Sequence, residues 1–381
     1  MTLSKRASQI TPSVVFGILQ KAEEMNARGE NVINFSVGEP DFKTPDYVIS
    51  AAKKALDEGR TRYTATGGIE KLRQAICDKL KRDNGLIYSS AQIVVSNGCK
   101  QSLYNALSCL VDPADEVILF APYWMTYPEQ IKLCNGKTKI VKEFSAKALE
   151  AAITPKTKVV LINSPNNPSG AVYTQQQIEE VAKVLEKHPK IFIISDEIYE
   201  KLIYNGTKHY SIANYNKAIF DRTIVINGLS KAYAMTGWRV GYTASSLEIA
   251  KAFNGFQSHT TQNVNTPAQY AAAEALSNLR GDETISKMVA EFKKRAEYMT
   301  SRLAKMPNIK YTTPQGAFYV LIDVTKFGSA IDVANKLLTE YKIAVTPADL
   351  FGAKGFIRLS YALAMREIEL GLDRLEKFLN A

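Results

Sequence analysis

Lys231 stands just beyond an apolar, β-branched run in the stretch from Thr223 to Tyr242, TIVINGLSKAYAMTGWRVGY. Thr223 to Ile226 reads as a buried strand, and Asn227-Gly228 as the turn that ends it. An amine held at the end of such a strand is disfavoured as ammonium. Its pKa falls and it becomes a nucleophile towards carbonyls. Ser230 beside it, and Arg239 eight residues after it, would suit an anion, most simply a phosphate. On these residues alone, a surface lysine in an ordinary loop is the alternative.

Other polar residues follow apolar runs in the same way. Ile93-Val94-Val95 leads into Ser96-Asn97-Gly98-Cys99-Lys100-Gln101, with a helix from about Ser102. A strand, a glycine and a helix N-terminus make a phosphate cradle, because free backbone N–H groups point outward there. The Walker spacing is absent. Glu116 to Phe120 precedes Trp124, a residue type more often core than ligand. Val159 to Ile162 precedes a Pro/Asn turn, Asn163 to Gly170, that contains Asn167. Ile191 to Ile194 precedes Ser195-Asp196-Glu197-Ile198-Tyr199, where Asp196 either caps a helix or faces a cation. Arg358 lies within the apolar run Phe356 to Ser360 and needs an anion, from a structural acid or from a ligand. Tyr63, at the start of YTATGGIEKLRQAI, reads on its own as a packing residue. Gly38 sits in SVGEPDFKTP, which its two prolines make a rigid loop.

The elements that must position these residues follow from the pattern. Strands near 93, 116, 159, 191 and 223, mostly separated by helical stretches, predict an open, mostly parallel α/β sheet. Ligands bind outside the carboxyl ends of such strands. Lys100, Trp124, Asn167, Asp196 and Lys231 all fall just past those ends. Before the sheet come a helix from Ser13 to Arg28, started by Thr11-Pro12, a short strand at Asn31 to Phe35, and a helix from Asp46 to Glu58. A further helix carries Leu72, Ile76 and Leu80 on one face. From about residue 285 the composition shifts to a charged helix, Lys287 to Lys305, and short strands at Ala317 to Ile322 and Phe356 to Ser360. The expected division is a large α/β domain over 46–284 and a smaller α+β domain over 285–381, joined by an N-terminal arm, 1–45.

The chain of 381 residues is long enough for such a core. Its net charge of +10 is spread along the sequence and mixed with acids, so it predicts a solvated surface and a site for anionic ligands, not nucleic acid. No apolar run approaches a membrane span and no signal-peptide core is seen, so the expected location is cytoplasmic, with no membrane partner. Cys77, Cys99, Cys109 and Cys134 lack metal spacing and are expected as reduced thiols. His188, His209 and His259 are scattered, which argues against a histidine-built metal site.

Five motifs occur in order: SVGEPDF, NPSG, SDEIYE, SKAYAMTGWR and FIRLSY. Together they resemble the class I pyridoxal-phosphate aminotransferases, most closely the bacterial-type aspartate branch, over nearly the whole chain. The resemblance implies a fold-type I enzyme working as a homodimer with shared active sites. Lys231 would carry pyridoxal 5'-phosphate as a Schiff base and transfer protons. Gly98, Cys99, Ser230 and Arg239 would hold the phosphate, with Tyr63 reaching across the dimer. Trp124 would stack on the pyridine ring, Asn167 and Tyr199 would bond its phenolic oxygen, and Asp196 would pair with its nitrogen. Gly38 and Arg358 would take the substrate α-carboxylate, with Trp124 and Asn167 bordering the substrate. Lys100 would meet the side-chain carboxylate of acidic substrates. The family usually has a hydroxyl residue where Cys99 stands; a thiol is a weaker donor, while the backbone contact is unaffected.

The reaction implied is ping-pong transamination, L-aspartate with 2-oxoglutarate giving oxaloacetate and L-glutamate. Transfer from aromatic, alanine or prephenate substrates, or a β-lyase reaction, would use the same lysine, ring contacts and arginine. A non-enzymatic regulator of this fold would need an appended recognition domain or a lost catalytic residue, and neither is seen in the sequence.

Overall fold

A run of apolar residues with no polar alternation can be satisfied only by a strand covered on both faces. In the computed structural model, which describes residues 4, 8, 10, 14–278 and 280–381, the central strands are of that kind. In chain order the strands are β1 (Ile33–Asn34), β2 (Ile93–Ser96), β3 (Glu116–Phe120), β4 (Lys137–Val141), β5 (Thr157–Asn163), β6 (Phe192–Asp196), β7 (Thr223–Gly228), β8 (Gly241–Ala244), β9 (Lys310–Tyr311), β10 (Tyr319–Asp323), β11 (Ile343–Ala344), β12 (Thr346–Pro347) and β13 (Phe356–Ser360). Seven of them form one sheet in the order β2-β8-β7-β6-β5-β3-β4. Within it β7, β6, β5, β3 and β4 pair in parallel, while β8 is antiparallel to both its neighbours. This is the α/β, mostly parallel sheet expected from the sequence.

Two strands of this sheet were not expected. β4 is an edge strand with Lys137 and Ile140 exposed and only Val141 buried, so its sequence KTKIV lacks the buried-strand pattern. β8 opens on Gly241, where a Cβ would lie 2.4 Å from the Cys99 nitrogen. Glycine is required there for two backbones to meet. The turn expected at Asn227-Gly228 is instead the end of β7, because pairing with Tyr242 and Gly241 extends the ladder. The helix expected from about Ser102 begins at Cys99, since Gly98 at φ +80° breaks the chain out of β2 early. The charged helix starts at Arg280 and runs to Leu303.

The remaining strands form a four-stranded antiparallel sheet, β12-β13-β10-β9, and a two-stranded parallel pair, β1 with β11. That pair ties the segment after the first helix (Val14–Ala27) to the C-terminal region. The expected start of that helix, Thr11 to Ser13, lies outside the described residues. One apolar cluster joins Ile33 and Phe35 with Ile198 to Tyr204 and with Phe292, Phe318, Tyr361 and Leu372. Separate clusters fill the two faces of the seven-stranded sheet. Among the described residues no helix is long and apolar enough to cross a membrane.

Candidate active site

The C-terminal ends of β2, β5, β6 and β7 converge with the loop after β1 and with strand β13, joined by hydrogen bonds from Lys231 to Gly38, from Arg358 to Asn167 and Ser36, and from Asn163 to Asp196. At the β2 end, the helix Cys99–Leu110 starts with backbone N–H groups that have no intrahelical acceptor. Arg239 lies over this start. A Cβ on Gly98 would come 2.5 Å from its Nη2. Arg239 adopts φ +55°, a left-handed conformation that costs roughly 1–2 kcal/mol for a side-chain-bearing residue. Its guanidinium donates to the carbonyl of Thr236 at 2.9 Å and of Asn97 at 3.4 Å. A glycine, a helix start and a guanidinium thus converge beside the buried Ser230, a donor set suited to a phosphate. The Cys99 thiol packs with apolar clusters, and burial pushes its pKa far up, so it stays neutral.

Lys231 is partly buried and not a surface lysine. Its Nζ donates to the Gly38 carbonyl at 2.6 Å and lies 5.9 Å from the rings of Tyr199 and Phe318. Burial brings the ammonium down to about 8, which leaves a useful neutral fraction near neutral pH.

Asp196 is the last residue of β6 and is 4% exposed. Tyr127 donates to its Oδ2 at 2.7 Å, and the Ile198 N–H to its Oδ1 at 3.3 Å. No helix follows, so the helix-cap alternative is set aside. Burial pushes the carboxyl up to about 6, and among the described residues no Lys or Arg pairs with it.

Arg358, in the middle of β13, is the converse. It is 3% exposed. It donates to Asn167 Oδ1 and the Ser36 carbonyl, both at 3.0 Å, and to Thr346 Oγ1 at 3.4 Å. Its Nε is buried without a partner. Burial lowers its pKa, and no described carboxylate forms a salt bridge with it, so the structural-acid alternative fails.

Around these charges, Asn163 holds the site together. Its amide donates to the Asp196 carbonyl and accepts from the Asn167 N–H, both at 3.0 Å. The Tyr199 hydroxyl meets that of Tyr319 at 2.9 Å. Trp124 is half-buried, packs edge-on to Tyr127, and has the exposed Lys100 5.0 Å from its ring. Burial and the Arg239 charge lower the Lys100 pKa. Tyr63 is not a packing residue. It is 86% exposed, on a loop anchored by Gln257 to the Thr66 carbonyl and by Gln269 to Thr64. Tyr127, Asn163 and Tyr319 were not singled out from the sequence. Tyr127 lies three residues after Trp124, and the turn that opens the helix Thr126–Leu133, closed by its N–H on the Trp124 carbonyl at 2.9 Å, brings the two rings together; that spacing is a signal that could have found it.

The family model for aminotransferase class I and II matches residues 30–375. The chain is 43% identical over 389 residues to the aspartate aminotransferase of Bacillus sp. (strain YM-2), covering 99% of this chain and 98% of that protein. It is 40% identical to a probable aspartate/prephenate aminotransferase of Aquifex aeolicus, over 99% and 98%. Among solved structures, the aspartate aminotransferase of Thermus thermophilus with maleate superposes with a TM-score of 0.95 at 36% identity, covering 99% of each chain. That of Thermotoga maritima gives 0.93 at 41% identity over 100% of each. The site with its lysine, buried aspartate and buried arginine is therefore carried by a chain that belongs to the class I and II aminotransferase family.

Proposed function

We infer that this aminotransferase uses pyridoxal 5'-phosphate to move the amino group of L-aspartate to 2-oxoglutarate by a ping-pong mechanism. The observation that carries the reading is a pair of opposite charges at one site, linked through Asn163 and Asn167: Asp196, buried and in no salt bridge among the described residues, and Arg358, buried with an unpartnered Nε. A cofactor with a protonated ring nitrogen and a substrate with an α-carboxylate complete them. The cradle fits the phosphate for the same reason, since Gly98 and Gly241 leave no room for a Cβ beside Arg239 and Cys99. When bound, the cofactor supplies a cationic pyridine ring that spreads the electrons released at the substrate Cα.

In this reading the cradle N–H groups of Gly98 and Cys99, with Ser230 and Arg239, hold the phosphate, and Tyr63 is supplied by a second copy of the chain in a homodimer. Asp196 holds the ring N–H, Asn167 and Tyr199 the phenolic oxygen, and Trp124 covers the ring. Lys231 holds the cofactor covalently and then, as a free amine, carries the proton at Cα as base and acid. Arg358 orients the α-carboxylate beside the Gly38 backbone, and Lys100 meets the distal carboxylate. The division into 46–284 and 1–45 with 285–381 belongs to the same proposal; two apolar clusters that lie wholly within 46–284 support it, while the C-terminal cluster also takes in Ile198 to Tyr204.

The test is a set of half-reaction absorbance titrations of the holoenzyme with a panel of amino acids. Aspartate and glutamate should convert the cofactor well, and alanine and phenylalanine poorly. A preference for aromatic or small neutral donors would overturn the substrate assignment. Elimination products in place of 2-oxo acids would mark a β-lyase. Because some relatives are named for aspartate and prephenate together, prephenate is included as acceptor in the reverse half-reaction.

A further inference from the structure

Tyr319 is the first residue of β10, paired opposite Ser360 of β13, and it is 1% exposed. It touches three groups at once. Its hydroxyl meets that of Tyr199 at 2.9 Å, and the two rings meet edge to face. The Arg358 guanidinium carbon lies 4.4 Å from its ring centroid. A Cβ on Gly38 would come 3.6 Å from its hydroxyl oxygen, and the carbonyl of that glycine receives Lys231.

We propose that Tyr319 is a positioning residue that acts through two others: its hydroxyl donates to the Tyr199 oxygen, freeing the Tyr199 hydrogen for the cofactor's phenolic oxygen, and its ring supports the face of Arg358. The inference rests on the cofactor reading above. A phenol has one hydrogen to give. If Tyr199 spent it on Tyr319, none would remain for a ligand oxygen at the site. The direction of the bond follows from the surroundings. The Arg358 guanidinium carbon lies 4.4 Å from the Tyr319 ring, whereas the cation over the Tyr199 ring, Lys231, is 5.9 Å away. The phenol with the nearer cation, Tyr319, is the better donor. The ring contact has a separate effect. A desolvated cation over an aromatic ring is stabilised, and that holds Arg358 beside Tyr319 while its Nε stays without a partner.

The test uses Y319F, Y319L and Y199F, each as holoenzyme and as cofactor-free protein. In Y319F the pH midpoint of the bound cofactor's visible band should rise by roughly 0.4–1 pH unit. The Kd of the cofactor-free protein for pyridoxal phosphate should weaken by about three- to tenfold. Succinate, a dicarboxylate that cannot react, should bind Y319F as tightly as wild type, because the ring remains. It should bind Y319L about three- to thirtyfold more weakly. Y199F should move the midpoint at least as far, and Y199F/Y319F no further than Y199F alone, because the hydroxyl of Tyr319 acts through Tyr199. Wild-type midpoint and cofactor Kd in Y319F, alongside a shifted Y199F, would overturn the proposal. An unshifted Y199F would remove the phenolic-oxygen role of Tyr199 and this inference with it.

Discussion

Asp196, the last residue of β6, and Glu200, four residues on, are both buried carboxylates, and the chain treats them oppositely. Glu200 is closed from within. Lys79 forms an ion pair with it, Asn84 donates to it at 2.6 Å, and Lys79 also bonds Asn84 at 2.7 Å. Burial acts to raise the Glu200 carboxyl, but Lys79, His209 and those bonds outweigh it and hold it down to about 2. Glu197 accepts from His209 at 3.0 Å, so Glu197, Glu200 and His209 bring ligand-type atoms within 4.8 Å of one another, and Lys79 supplies positive charge there. Among the described residues Asp196 has no ion-pair partner, only the neutral donors Tyr127 and the Ile198 N–H, and burial raises its carboxyl to about 6. The same contrast separates the lysines. Lys79 is spent on Glu200, whereas Lys231 is held by a carbonyl. A buried charge compensated inside the chain serves the fold. One left uncompensated is a cost the fold bears for a ligand.

The lysines give the largest expected effect. Lys231→Ala should lower turnover by about 10⁴-fold or more, since one side chain both holds the cofactor and carries the proton. It should leave the cofactor-free protein as stable as wild type. Lys79→Met should do the reverse. It should cost about 3–5 kcal/mol of stability by stranding Glu200, with turnover per folded molecule retained. Borohydride reduction of the wild-type holoenzyme and peptide mapping should find the cofactor on Lys231. An adduct on another lysine would erase the distinction between the two.

The carboxylates sharpen the contrast through pH. Glu200 has its pKa depressed from 4.5 to about 2, so it contributes stability that is present above 4.5 and lost as pH falls towards 2. Asp196 has its pKa raised from 3.8 to about 6, so its contribution is present below 3.8 and lost as pH rises through 6. Each amounts to about 3 kcal/mol by linkage. At pH 7 the cofactor-free Asp196→Asn protein should therefore be more stable than wild type, and Glu200→Gln less stable. The Asn difference should vanish below about pH 4. Turnover should fall on the order of a hundredfold in Asp196→Asn and little in Glu200→Gln. Denaturant titrations across this pH range decide the matter; parallel curves for the two variants would break the comparison.

Lys100 lies between these extremes, exposed yet against Trp124. Replacement by Ala should lower efficiency with aspartate by about ten- to a hundredfold, the range for a charge-assisted contact, and affect alanine much less. Equal losses would assign Lys100 to the phosphate.

The sheet was legible in the sequence wherever a strand is covered on both faces, as in β3, β5, β6 and β7, because burial leaves no polar alternation. β4 and β8 were hidden by the opposite causes, an exposed edge and a glycine needed for backbone contact. Lys231, Asp196 and Arg358 were legible because a charged residue within or just after an apolar strand is out of place. Tyr127 and Tyr319 were not, because a tyrosine at a buried position reads as core until its hydroxyl partner is known. The exposure of Tyr63 depends on tertiary packing around a loop, which local sequence does not encode.

The smallest expected effect falls on Cys99, which belongs to both categories. Its backbone starts the helix at the cradle, while its sulfur packs against the apolar clusters within reach of the Asp196, Lys231 and Arg239 charges, and a Cβ on Gly228 would come 3.0 Å from it. Cys99→Ser offers a stronger donor at a position where the family resemblance suggests a hydroxyl. If the side chain faced the phosphate, pyridoxal phosphate would bind the cofactor-free protein about tenfold more tightly, the worth of a hydrogen bond to a charged group. The packing predicts otherwise. Affinity should change by less than about threefold. Stability should fall by about 1–3 kcal/mol, because a hydroxyl replaces a thiol among apolar neighbours without a partner. Ser230→Ala, changed on the other side of the cradle, should weaken cofactor binding more than Cys99→Ser alters it. A tenfold gain for Cys99→Ser would mean that the residue at 99 is open to the ligand through its side chain as well as its backbone.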